Sequence, residues 1–115
     1  MENAIEAKSF RFSVRVVRLC RHLRESKKEY ILTKQLLRSG TSIGANVVEA
    51  QQAQSRADFI SKLSIALKEA VETDYWIRLL KEADYLTTAE FSSIHADCKE
   101  LEKLLTSIIK TTRLD

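Results

Sequence analysis

Proline is absent from this chain, and glycine occurs only twice, at positions 40 and 44. Proline breaks helix interiors and glycine weakens them, so their scarcity speaks against turn-rich β folds and favours long helices. The two cysteines, Cys20 and Cys98, stand far apart and outside any CxxC pattern. That argues against a disulfide scaffold or a zinc ribbon and points to reduced, buried thiols in a cytoplasmic protein. Histidine is equally sparse. A ferritin-like metal centre needs Glu-x-x-His pairs, but the residues three before His22 and His95 are Leu19 and Ser92. No metal or cofactor is expected. No apolar run approaches the ~18 residues of a membrane span, and the opening MENAIEAKSF has no signal-peptide pattern.

What is present is 44% hydrophobic and 30% charged residues over 115 positions, enough for one real core. We therefore expect a single domain over residues 1–115. The net charge of +3 conceals a polarity. Residues 1–48 carry ten Lys/Arg against four Asp/Glu, whereas residues 49–115 carry nine against twelve. A chain of this kind can present a basic face although its total charge is small.

Hydrophobic period and capping signals predict four helices, at about 5–27, 30–53, 56–83 and 88–112. The fourth is the clearest: Thr87 and Glu90 form a capping box, flanked by Leu86 and Phe91 as a hydrophobic staple. Ser55 is the expected N-cap of the third, and Asp84 falls at its end where glycine or asparagine is commoner. Short connections between such helices predict an all-α, antiparallel up-down-up-down four-helix bundle. The apolar residues of the first helix, Phe10 to Leu23, spread over roughly 220° at ~100° per residue. That arc is wider than one partner face needs, and it suggests burial between subunits.

The stretch RSGTSIGANVVEAQQA contains both glycines. In an unbroken helix, Leu36, Gly40, Ile43, Gly44, Val47 and Ala50 share one face, while Gln35, Ser39, Ser42, Asn46 and Glu49 share another. A loop at SGTS would give neither alignment a reason to continue across it. Each interior glycine costs about 1 kcal/mol relative to alanine, so two on an apolar face imply a neighbour packed too closely for a Cβ. A phosphate loop is the poorer reading, because no Lys-Ser/Thr follows the second glycine and no strand precedes the first. The polar stripe, with Trp76 from the third helix, is a candidate helix seam or interface.

The main functional candidate is basic. Arg11, Arg15, Arg18 and His22 fall within roughly 60° of the first helix at ~100° per residue, with Arg21 and Arg24 beyond them. Such a stripe can track a phosphate backbone, and without an interleaved aromatic it gives no base-specific readout. The plainer alternative is a solvated face paired with the acidic third and fourth helices. Arg15 and His22 also fit formally the Arg-x(4–6)-His spacing of the small helical HEPN ribonucleases. There the histidine would act on a 2′-hydroxyl and the arginine would steady the phosphate. That motif normally lies late in its domain with a polar residue after the arginine, whereas here it lies in the first helix followed by Val16. His95 reads as a helix-surface residue. We therefore expect no enzyme. The leading expectation is non-specific RNA or DNA binding, with a protein–protein adaptor as the alternative and a metal-independent ribonuclease as a remote one.

The run KQLLRSGTSIGANVVEAQQAQSRADFISKLSIALKEAVETDYWIRLLKEADYL, with LLTSIIKT further on, resembles the four-helix bundle proteins encoded in intervening sequences of bacterial 23S ribosomal RNA genes. The resemblance spans about Phe10 to Thr111. It is most specific at Ser39, Ser42, Gly44, Asn46 and Glu49, with support around Glu72, Tyr75 and Trp76. Ala83-Asp84 departs from it, since relatives often place a glycine there, and Val48 is a minor departure. The resemblance implies a ring, a homopentamer, and kinship with the accessory variability proteins of diversity-generating retroelements. Those are basic, barrel-like pentamers that associate with nucleic acid and a reverse transcriptase. It brings no catalytic residues.

Overall fold

The chain folds into four helices and, among the described residues, no strand: α1 (Ala4–Lys27), α2 (Leu32–Gln51), α3 (Arg56–Glu82) and α4 (Thr88–Leu114). This computed structural model describes residues 3–114. Contacts close a cycle in which each helix touches its two sequence neighbours and α4 returns to α1, the loosest of the four seams. The pairings run in opposite directions on every seam. Asn3 meets Gln51 while Arg24 meets Thr33, and Lys8 meets Glu100 while His22 lies near Glu90. Glu49 meets Lys62 while Ser39 meets Thr73, and Ala70 meets Cys98 while Asp74 meets His95. The bundle is antiparallel.

Each helix begins where its sequence offers an acceptor to unpaired N–H groups. The Asn3 side chain accepts from the Glu6 amide at 3.3 Å, and the Ser55 hydroxyl accepts from the Asp58 amide at 3.1 Å. Thr87 and Glu90 complete the capping box: the Thr87 amide donates to Glu90 at 2.8 Å, and the Glu90 amide donates to the Thr87 hydroxyl at 3.1 Å. α2 is capped differently, and this explains why it starts at Leu32 rather than near residue 30. The Glu29 carboxylate accepts from the amides of Ile31, Leu32 and Thr33 at 3.3, 2.9 and 2.9 Å. Burial alone would raise that carboxyl, but the three amides outweigh it and hold it below its ordinary range. Asp84 turns the chain after α3 with a left-handed φ of 66°, the conformation expected at that helix end. Lys28 does the same after α1 at 53°.

The core is a stack of aliphatic side chains contributed by all four helices, including Val16, Leu23, Leu36, Ile43, Leu63, Ile77 and Leu105, all fully buried. α2 runs unbroken through both glycines. Their neighbour is α1 of the same chain. A Cβ on Gly40 would sit 2.8 Å from Val16 Cγ1, and one on Gly44 would sit 3.3 Å from the Ser9 carbonyl oxygen and 3.2 Å from Ser13 Oγ. Ser9 and Ser13 present small side chains to this seam, so both helices contribute to the close approach. Their hydroxyls donate back to the carbonyls of Glu6 and Ser9 on α1 itself, which leaves the seam free of unpaired polar groups.

Candidate nucleic-acid interface

The 3.6-residue period of α1 brings Arg11, Arg15, Arg18 and His22 onto one flank, and the antiparallel fold sets that flank beside α4. α4 answers with carboxylates at matching heights. Arg15 reaches Asp97 at 2.5 Å and also donates to the Ser93 hydroxyl at 2.8 Å and the Ser93 carbonyl at 3.3 Å. His22 Nε2 lies 3.8 Å from Glu90, and Lys8 pairs with Glu100 at 3.1 Å. Part of the basic stripe is thus held by intramolecular pairs, in the way that the plainer sequence reading described. Each pair stays largely solvated, so each contributes little to stability, in the range of about 0–1 kcal/mol.

The other cations are placed differently. Arg11 is exposed on the same flank. Arg18 and Arg21 are exposed, and among the described residues neither makes an ion pair with a carboxylate. Arg24 is turned inward and donates to the Thr33 hydroxyl at 3.0 Å, tying α1 to the start of α2. Arg15 and His22 lie two turns apart on one helix, a rise of about 10 Å. Each lies beside a different α4 carboxylate, Arg15 beside Asp97 and His22 beside Glu90.

The polar stripe of α2 divides in the structure. Ser39 is buried and shares a 2.9 Å hydrogen bond with Thr73 of α3. Ser42 and Asn46 are partly buried, and Asn46 donates to the Ser42 carbonyl at 2.8 Å and hydroxyl at 3.2 Å. Glu49 is exposed and pairs with Lys62 of α3 at 3.2 Å. Trp76 is half-buried, donates to Glu72 at 3.0 Å and meets Tyr75 edge-on. Glu72 in turn binds Arg38, which also reaches Glu69 at 3.2 Å. This stripe is largely a polar α2–α3 seam.

One cluster had no sequence signal. Asp74 of α3 is buried and gathers His95 at 2.8 Å, Arg78 at 3.1 Å and Lys99 at 3.4 Å. Burial alone would raise its carboxyl, but hydrogen bonds from Glu102, His95 and Arg78 hold it down to about 2. Burial and then Asp74 push the Glu102 carboxyl above its ordinary range, so Glu102 is the member of the pair that keeps a proton more readily. His95 is therefore more than a helix-surface residue: it stacks on Phe91 with ring centroids 4.7 Å apart and ties α4 to α3. Asp74 and His95 come from separate helices, so no local spacing could have paired them. Among the described residues no group of three or more His, Cys, Asp or Glu side chains could hold a metal ion.

Beside the glycine seam, α1 and α2 enclose an open apolar cleft of about 780 Å³. Phe10 on one wall is 68% exposed and Val48 on the other 50%, and Val17 continues the face along α1. Among the described residues no helix is long and apolar enough to cross a membrane.

These features define an all-α four-helix bundle with charged seams and an uncovered apolar cleft. The chain belongs to the family described as 23S rRNA-intervening sequence protein, which matches residues 1–107. A solved structure from Bacteroides thetaiotaomicron VPI-5482, described as a protein with unknown function from the S23 ribosomal protein family, is 57% identical. It covers 92% of this chain and 98% of its own, with a TM-score of 0.91. No match was found among curated proteins.

Proposed function

We propose that this chain is a non-enzymatic, self-associating bundle that binds RNA or DNA without sequence specificity through the exposed cations of α1. The observation that carries the reading is the position of Arg18 and Arg21, both exposed and without a carboxylate partner among the described residues. Arg15 and His22 flank them but are partly satisfied by α4. Arg15 strengthens the local positive field more than it supplies a direct phosphate ligand. No aromatic ring lies among these cations, which suits backbone contact and not base readout.

Self-association is supported by the α1–α2 cleft, whose exposed Phe10 and Val48, continued along α1 by exposed Val17, form the kind of apolar patch that a second copy covers. A closed ring, with five subunits as the family resemblance implies, would set several α1 faces side by side and multiply a weak contact by avidity.

The test is fluorescence anisotropy with a structured RNA over a range of salt. The double variant Arg18→Glu, Arg21→Glu should lose binding and flatten the salt dependence by about two phosphate contacts. Absence of wild-type binding at low salt ends this reading. Sedimentation of Phe10→Glu and Val48→Glu checks the assembly, which should fall apart into smaller, folded species.

A further inference from the structure

We propose that the groove between α3 and α4, on the other side of the bundle from the α1–α2 cleft, is a docking site for an acidic amphipathic helix of a partner protein. It goes beyond the nucleic-acid reading and uses different residues.

α4 segregates its charges. Its carboxylates Glu90, Asp97 and Glu100 face α1, where they meet His22, Arg15 and Lys8. Its cations Lys99, Lys103, Lys110 and Arg113 fall within roughly 80° of one another on a different flank, at ~100° per residue. From Lys99 to Arg113 they rise about 21 Å, or four turns. Lys99 is occupied by Asp74 and Glu102, each at 3.4 Å. Lys103, Lys110 and Arg113 have no ion pair among the described residues. The second half of the chain is acidic in sum, so this basic edge is created by the helical period and the fold.

Beside the cations lies an apolar floor. Two open clefts of about 630 and 300 Å³ share Leu67, Thr106 and Lys110 and so join end to end along the α3–α4 seam. Val71 in the first is 53% exposed and Leu114 in the second 80%. Aliphatic side chains at this exposure beside a cationic edge match one kind of ligand well. A helix with leucine-like anchors at i, i+3 or i+4, and i+7 fills such a groove, and carboxylates on its flank meet the lysines. Nucleic acid is the poorer match. No aromatic ring lines either cleft to stack a base, and a phosphate backbone gains nothing from covering Val71. The one carboxylate in the groove, Glu102, is mostly buried, is already paired with Lys99 and holds its proton more readily than an ordinary glutamate.

The experiment uses the intact protein and a fluorescein-labelled 18-residue helical peptide with leucines on one face and glutamates elsewhere. A scrambled peptide of the same composition is the control, and poly(U) RNA is the competitor. We expect saturable binding of the amphipathic peptide, weakened at least tenfold by Lys103→Glu, Lys110→Glu and separately by Val71→Asp. Arg18→Glu, Arg21→Glu should leave it unchanged, so this result is independent of the α1 reading. The three substituted positions are exposed, and circular dichroism checks that each variant keeps its helices. Methyl spectra of the wild type should shift at Leu67, Val71 and Leu114 and not at Val17 or Val48. Equal binding of the scrambled peptide, unchanged affinity in the Lys103 and Lys110 variant, or shifts confined to the α1–α2 cleft would each overturn the proposal. Displacement of the peptide by poly(U), with the RNA depending on the same lysines, would assign the groove to nucleic acid instead.

Discussion

Gly40 of α2 and Val16 of α1 pack so closely that a methyl group on the glycine would lie 2.8 Å from one Val16 γ-carbon and 2.9 Å from the other. Val16 is fully buried and β-branched, so it has little freedom to turn away. Alanine would gain about 1 kcal/mol of helix propensity. Overpacking of this kind costs on the order of 1–3 kcal/mol, which decides the sign. Gly40→Ala should lower the melting temperature, and Gly40→Ala combined with Val16→Ala should recover part of the loss. Gly44→Ala should be milder, since its contacts at 3.2 and 3.3 Å require a shift of only a few tenths of an ångström. A rise in melting temperature for Gly40→Ala, with the assembly intact, would refute the close seam.

The carboxylates make stability depend on acid in a defined way. Glu29 and Asp74 both titrate lower in the folded chain than they would unfolded, so the stability they contribute is complete above the ordinary carboxylate range. It is lost as pH falls through their folded values, which for Asp74 lies at about 2. Glu102 has the opposite sign: its raised value favours the folded state at low pH, and that gain disappears as pH rises through it. Urea titrations from pH 2 to 7 should therefore show a smaller acid loss in Asp74→Asn than in the wild type. Glu102→Gln should bring a gain at neutral pH that fades on acidification.

Both thiols should be inert in the folded protein. Burial pushes Cys20 up to about 11 and Cys98 higher still. Cys98 donates to the Ala70 carbonyl at 3.4 Å and Cys20 to the Thr33 carbonyl at 3.5 Å. The thiolate is the reactive form, so neither should label with maleimide at neutral pH until denaturant is added. Rapid labelling of either residue in native buffer would contradict this burial.

On the proposed reading, the α4 carboxylates restrain the α1 face by pairing with its cations. Asp97→Ala releases Arg15 from a 2.5 Å ion pair, and Glu100→Ala releases Lys8. Both pairs are solvated, so stability should change by less than about 1 kcal/mol. If α1 contacts phosphates, RNA affinity should rise and its salt dependence should steepen in the double variant. Unchanged affinity would place any nucleic-acid contact elsewhere.

Much of this molecule follows from its sequence. The absence of proline, the 3.6-residue stripes and the caps at Ser55 and Thr87 specify four helices, because these are interactions within a few residues of one another. The shared face of Gly40 and Gly44 likewise requires only that α2 be continuous, and it is. Tertiary structure decided the partners. Only the fold shows that the glycines face Val16, Ser9 and Ser13 of their own chain, and that Asp97 and Glu90 hold Arg15 and His22. The Asp74–His95 link and the joining of Lys103, Lys110 and Arg113 to the floor at Leu67 and Val71 are equally invisible in one dimension. Helix propensity, capping and period are local energies, whereas charge pairing and groove formation depend on which faces the bundle sets side by side.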